Sequence, residues 1–94
     1  MVTKLSRMPY AQANVMIEQY GDEKLIRLIS YTTCVLEIRN NWLKVNGLYS
    51  ATTRKHISAF MKEYTNLDYY SAKQCYEDGI EMNIETGEVR KVGE

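Results

Sequence analysis

The stretch from residue 24 to residue 47 constrains the fold more than any other part of the sequence. It contains three short runs rich in β-branched or aromatic residues, and polar stretches that favour turns separate them. The runs occupy residues 25–29, 34–38 and 42–45. This pattern predicts a three-stranded antiparallel meander.

The segment before the meander, residues 9–20, predicts an N-terminal helix. Pro9 suits a first helical turn, and Gly21 is placed to end the helix. Between them, aromatic and aliphatic side chains recur at helical spacing; they are Tyr10, Ala13, Ile17 and Tyr20. The run Val15, Met16 and Ile17 also suits a strand, so a strand is the alternative here.

Two helices and a hairpin are predicted after the meander. Ser50 can cap the first helix, with Thr52 as a competing cap, and an apolar stripe follows it. The second helix begins at Asn66 or Asp68 and ends at Gly79. Alternation over residues 80–84, a turn, and residues 89–92 predict a C-terminal β-hairpin. The predicted fold class is therefore α+β, a single domain over residues 1–94 with an N-terminal helix, a three-stranded meander, two helices and a hairpin.

Size and charge narrow the function classes. The chain has 94 residues and a formal net charge of zero, which allows one modest core. Residues 1–62 nevertheless carry a net charge of +5 and residues 63–94 a net charge of −5. No apolar run suits a membrane helix, no export signal is visible, and two cysteines are too few for a disulfide framework. The sequence predicts a cytoplasmic protein without a membrane partner.

Catalytic and metal-binding signals are weak. His56 is the only histidine, and we interpret it as a residue at the boundary of the core. Cys34, His56 and Cys75 lack the paired spacing of metal ligands, and the glycines are too scattered for a phosphate-binding loop. We therefore predict no enzyme activity, no cofactor and no metal.

Two candidate binding surfaces remain. Eight tyrosines are too many for so small a core, and tyrosine is common at interfaces. With the acidic C-terminal part they suggest a partner-binding set: Tyr49, Tyr69, Tyr70, Glu77, Asp78, Glu81 and Glu85. The alternative is a nucleic-acid-binding helix that uses Ser50, Thr52, Thr53, Arg54, Lys55, His56 and Lys62. The pI near 6.6 is low for a nucleic-acid-binding domain.

Two motifs carry a resemblance to a known family. Residues 30–35 read Ser-Tyr-Thr-Thr-Cys-Val, and residues 49–56 read Tyr-Ser-Ala-Thr-Thr-Arg-Lys-His. In this the chain resembles a family of small, uncharacterised bacteriophage proteins with the patterns Ser-Tyr-x-Thr-x-Val and Tyr-Ser-x-Thr-Thr-x-x-His. The resemblance implies no activity, but it implies a setting, that of an intracellular phage accessory protein of the size class that includes anti-CRISPR proteins.

These observations favour a non-catalytic phage accessory protein in the host cytoplasm. It would bind and inhibit a host protein or protein–nucleic-acid complex, as an anti-CRISPR protein does. The alternative is a small nucleic-acid-binding regulator that uses the helix from Ser50 to Lys62. The sequence leaves open whether the chain forms a homo-oligomer.

Overall fold

The chain folds into one antiparallel sheet with two helices packed against it. The computed structural model describes residues 1–92. Its seven strands are β1 (Val2–Lys4), β2 (Ala13–Tyr20), β3 (Glu23–Ser30), β4 (Thr33–Arg39), β5 (Trp42–Val45), β6 (Ile80–Asn83) and β7 (Val89–Lys91). The helices α1 (Ala51–Tyr64) and α2 (Tyr69–Asp78) lie between β5 and β6 in the sequence.

The strands follow one another across the sheet in chain order, all antiparallel. The pairing aligns Val15, Leu28, Leu36 and Val45 across four neighbouring strands. Because side chains alternate between the two faces of a strand, this register collects the large apolar side chains on one face. The helices cover that face, and together they form the core.

Both helices have caps that the sequence specifies. The Ser50 hydroxyl accepts the backbone N–H of Thr53 at the start of α1, and the Asp68 carboxylate accepts that of Ser71 at the start of α2. These acceptors satisfy backbone donors that have no partner within the helix. Gly79, at a φ of 64°, ends α2 in the left-handed conformation. The cap residues therefore fix where the helices begin and where α2 ends.

The predicted N-terminal helix over residues 9–20 is wrong. Ala13–Tyr20 forms β2, which pairs along its whole length with β3. Val15 is fully buried while its neighbours Asn14 and Met16 are only partly buried, which is the period-two pattern of a strand. The helical spacing of the apolar residues was coincidental, since Tyr10 is 98% exposed in the loop before β2.

The predicted three-stranded meander is also wrong in extent, because five strands precede α1 and seven form one sheet. The chain contains both helices and strands, as an α+β protein does. One seven-stranded antiparallel sheet with two helices on one face replaces the predicted arrangement of an N-terminal helix, a three-stranded meander, two helices and a C-terminal hairpin. The pairing of β5 with β6 joins the strands of the predicted meander to those of the predicted hairpin.

The sheet face opposite the helices carries paired charges. Arg27 lies 3.3 Å from Glu18 and 3.6 Å from Glu37, which flank it on the neighbouring strands. The Arg90 guanidinium donates a hydrogen bond of 2.8 Å to the Glu81 carboxylate and lies 4.0 Å from the centre of the Trp42 ring. Cation and carboxylate thus neutralise each other on this face.

Candidate binding site: a cationic cleft between the helices

A cleft of about 430 Å³ lies between α1 and α2. The residues that line it are Arg54, Lys55, Ser58, Tyr69, Tyr70 and Lys73. It combines members of both sequence-predicted sets: two cations from the nucleic-acid-binding set and two tyrosines from the partner-binding set. Neither set alone describes this site.

Helix α1 supplies a cationic face to the cleft. Arg54, Ser58 and Lys62 are spaced by four residues and therefore lie on one side of the helix, with Lys55 beside them. The buried side carries Ile57 and other core residues instead. Residues 51–62 contain no aspartate or glutamate. From Arg54 to Lys62 the helix rises about 12 Å, so positive charge extends along two turns.

Helix α2 supplies the aromatic side. Tyr69 and Tyr70 occupy its first turn, with ring centres 5.7 Å apart in an edge-to-face arrangement. Tyr69 packs against the core, whereas Tyr70 is 73% exposed. Lys73 lies about one turn further along the helix. The core contact of Tyr69 thereby fixes the position from which Tyr70 extends into solvent.

The charges of the cleft lack carboxylate partners within residues 1–92. The ion pairs there use Arg27, Arg39 and Arg90, and no cation of the cleft takes part in them. In contrast to the open sheet face, the cleft therefore keeps positive charge available for an external anion.

A buried polar network removes several predicted residues from the surface. The Ser30 hydroxyl lies 2.8 Å from Nδ1 of His56 and 3.0 Å from the Thr53 hydroxyl. The Ser50 hydroxyl contacts that of Thr53 at 3.3 Å. Ser30, Thr53 and His56 are all buried. Four residues of the two motifs described above thus join the end of β3 to the start of α1.

This network constrains the protonation of His56. Burial lowers the pKa of its imidazole from the ordinary 6.5, so the neutral ring is favoured. A neutral Nδ1 can accept the Ser30 O–H, while the Thr53 O–H donates to Ser30 and the Ser50 O–H donates to Thr53. In this orientation every hydroxyl of the network is satisfied.

The Ser30–His56 distance also suits a nucleophile and its base. A nucleophile must reach its substrate, however, and Ser30 is 2% exposed and His56 1% exposed. The Ser30 oxygen already accepts from Thr53. The arrangement therefore holds α1 on the sheet and offers no access for a substrate.

The remaining predicted nucleic-acid residues lie near the cleft or on the exposed face of α1. Ser50 and Thr52 are exposed in the N-terminal part of the helix, and Ser50 is occupied as its cap. Lys62 is exposed at the other end, beside a second cavity that contains Glu85. Of the predicted set, Arg54 and Lys55 are the residues that line the cleft.

The predicted partner-binding carboxylates are dispersed. Glu77 and Asp78 are exposed in the last turn of α2, whereas Glu81 is paired with Arg90 on the opposite face of the sheet. Glu85 lies in the loop after β6 and lines a separate cavity of about 300 Å³ with Lys24 and other residues. As a set they do not form one surface with Tyr69 and Tyr70, because only Glu77 lies on the same side of α2 as Tyr70, seven residues after it.

Tyr49 lies just before the cap of α1. It is exposed and has a φ of 52°, a left-handed conformation that costs energy for a non-glycine residue. Its ring covers Gly47, where a Cβ would lie 2.8 Å from two ring atoms, so a side chain there would require the ring to move. Tyr49 does not line the cleft.

The cysteines do not form a reactive or metal-binding centre. Both are free thiols, and burial raises the pKa of Cys34 above its ordinary value and that of Cys75 to about 11. In the described part of the chain, no three histidine, cysteine or acidic side chains cluster as metal ligands would. None of the helices in residues 1–92 has the length and apolarity needed to span a bilayer.

The predicted site sets lacked Ser58 and Lys73. Ser58 could have been found from its spacing of four residues to Arg54. Lys73 could not, because only the packing of α2 beside α1 brings it to the same cleft. The sequence contained each helix face but not their juxtaposition.

Comparison with known proteins identifies the family. Residues 3–78 match the model of DUF8033, a family of unknown function. This match covers most of the chain, including both helices, and the chain therefore belongs to that family. No curated protein and no solved structure matches the chain significantly.

Proposed function

We propose that this chain is a non-catalytic nucleic-acid-binding protein that holds phosphates in the cleft between α1 and α2. The observation that carries the proposal is the group of unpaired cations, Arg54, Lys55 and Lys73, beside the exposed ring of Tyr70. Phosphate contacts by lysine and arginine supply most of the affinity in nonspecific nucleic-acid binding. The neutral net charge does not oppose this, because a local patch acts within about 10 Å at ordinary ionic strength.

A protein inhibitor of a host machine remains the second candidate. The exposed carboxylates Glu77 and Asp78 at the end of α2 favour it, since they could contact a basic groove of a partner. The dispersal of the acidic set makes it the weaker proposal. The phage origin and the anti-CRISPR comparison rest on the sequence resemblance alone and stay predictions.

A salt titration tests nucleic-acid binding. Four cations, the three of the cleft and Lys62, would release counterions from a single strand with a log–log slope of about −2.8, at about −0.7 per phosphate. Affinity for a labelled 20-nucleotide strand should then fall roughly 50-fold between 50 and 200 mM salt. Fluorescence anisotropy measures this directly.

A matched pair of variants localises the binding. The triple variant Arg54→Gln, Lys55→Gln and Lys73→Gln should reduce the slope to about −0.7. The control Arg7→Gln, Lys24→Gln and Lys91→Gln removes the same charge from exposed positions outside the cleft and should keep the original slope. Absence of binding at 50 mM salt, or equal loss in both variants, would reject the cleft as a nucleic-acid site.

A further inference from the structure

We infer that the cleft selects single-stranded over double-stranded nucleic acid, with Tyr70 as the platform on which one base stacks. This inference rests on the proposed function and adds the form of the ligand. It follows from the exposure of the ring, its fixed position, the cations beside it and the presence of α2 next to the cationic face of α1.

The ring of Tyr70 is accessible, and its position is restricted. It is 73% exposed at the edge of the cleft, and an exposed tyrosine offers a π-face that any unpaired base can stack on. Its edge-to-face contact with Tyr69 at 5.7 Å restricts it, and Tyr69 is in turn packed against the core. The platform is therefore organised before a ligand arrives, which lowers the entropic cost of binding.

The cations of the cleft lie close to the tyrosines. Arg54 and Lys55 line the cleft from α1, and Lys73 lines it from α2, about one turn after the tyrosines. A phosphate backbone in the cleft therefore passes beside the ring. At about 3.4 Å per phosphate along one stacked strand, the face of α1 accommodates three or four phosphates. A single nucleic-acid strand bound there can stack a base on the ring of Tyr70 while its phosphates contact lysine and arginine.

Duplex DNA suits this cleft less well than a single strand. In a duplex every base is stacked and paired, and reaching an aromatic ring requires unstacking that costs a few kcal/mol. A helix that reads a major groove must enter it with a free face. Here the cationic face of α1 borders a cleft whose other side is the first turn of α2. Helix α1 therefore cannot enter a groove without α2 entering beside it.

The experiment compares three labelled ligands by fluorescence anisotropy at one salt concentration: a 12-nucleotide thymidine strand, the same length of abasic strand, and a 12-base-pair duplex. The abasic strand keeps the phosphates but lacks bases. We expect the thymidine strand to bind at least fivefold more tightly than either of the others. Tyr70→Leu should weaken thymidine binding roughly 5- to 100-fold and leave abasic binding unchanged.

The control variant is Tyr10→Leu, because Tyr10 is also exposed but lies in the loop before β2. It should bind all three ligands as the unmodified chain does. Equal binding of all three ligands, or an unaltered preference in Tyr70→Leu, would overturn the single-strand inference while leaving phosphate binding intact. Failure of every ligand to bind would remove both.

Discussion

Substitution of Ser30 by alanine tests the network that holds α1 on the sheet. The change removes one buried oxygen, which leaves Nδ1 of His56 without its hydrogen-bond partner. The Thr53 O–H also loses Ser30 as its acceptor, but it can turn to the exposed Ser50 oxygen at 3.3 Å, so Nδ1 is the one buried group that is orphaned. An unsatisfied buried group costs about 1–3 kcal/mol, and we expect the free energy of unfolding to fall by about 2 kcal/mol. Urea unfolding followed by Trp42 fluorescence measures this as a midpoint lowered by roughly 1–2 M.

The same network predicts the pH dependence of stability. Because burial lowers the pKa of His56 from the ordinary 6.5, the unfolded chain binds this proton more readily than the folded chain. The free energy of unfolding should therefore decrease as the pH falls through 6.5 and continue to decrease until the folded pKa is reached. His56 is the only histidine, and carboxylates ordinarily titrate near pH 4, so the window from pH 7.5 to 5.5 isolates it.

The variant His56→Gln provides the control for this window. It should be less stable than the unmodified chain at pH 7.5, yet its stability should be flat down to pH 5.5. Proton NMR of the single imidazole reports its pKa in the folded chain directly. A folded pKa at or above 6.5, or a cost of Ser30→Ala below about 0.5 kcal/mol, would refute the role we assign to the network.

Two further substitutions test the turns and caps that fix the fold. Asn41 is the second residue of the two-residue loop between β4 and β5 and has a φ of 73°. Asn41→Gly should therefore raise the free energy of unfolding by roughly 0.5–1 kcal/mol, and Asn41→Ala should lower it. Thermal unfolding measures both changes. Asp68→Ala removes the acceptor of the Ser71 N–H at 3.0 Å and should lower the free energy of unfolding by about 1 kcal/mol. Asp68→Ser keeps a side-chain acceptor and should retain most of that stability. Equal losses in the two variants would contradict the capping role.

Local signals in the sequence determine a large part of this fold. Residue type and position predicted Ser50 or Thr52 as the first cap, Asn66 or Asp68 as the second, and Gly79 as the terminator of α2. The structure selects Ser50 and Asp68 and places Gly79 at the end of α2. The paired asparagines at 40 and 41 marked a tight turn between strands, and both adopt positive φ there. Such features depend on a few neighbouring residues, which is why sequence alone reveals them.

The error at residues 9–20 has a nonlocal cause. Helical and strand periodicity coincide over a short segment, and the decision depends on what the segment can pair with. The partner of β2 is β3, whose eight residues provide a full antiparallel ladder. The pairing of β5 with β6 has the same character, because two helices separate these strands in the chain. Neither pairing leaves a signature inside its own segment.

The candidate site illustrates this limit more strongly. Sequence reasoning placed tyrosines with carboxylates and the cations with the start of α1, because it grouped residues by their order in the chain. Packing instead joins Tyr69 and Tyr70 to Arg54 and Lys55 and sends Glu81 to the opposite face of the sheet. The chemical types were visible in the sequence, but their grouping required the tertiary fold.

The second motif of the sequence contains both residues that support the fold and residues that line the cleft. In Tyr-Ser-x-Thr-Thr-x-x-His, the specified serine, second threonine and histidine correspond to Ser50, Thr53 and His56, which are members of the buried network. The two unspecified positions before the histidine are Arg54 and Lys55, and both line the cleft. Substitution at positions 54 and 55 would therefore change the charge of the cleft and leave the hydrogen bonds that hold α1 on the sheet in place. A relative that shares this motif is therefore expected to share the fold, and its ligand is to be judged from what stands at positions 54, 55 and 73.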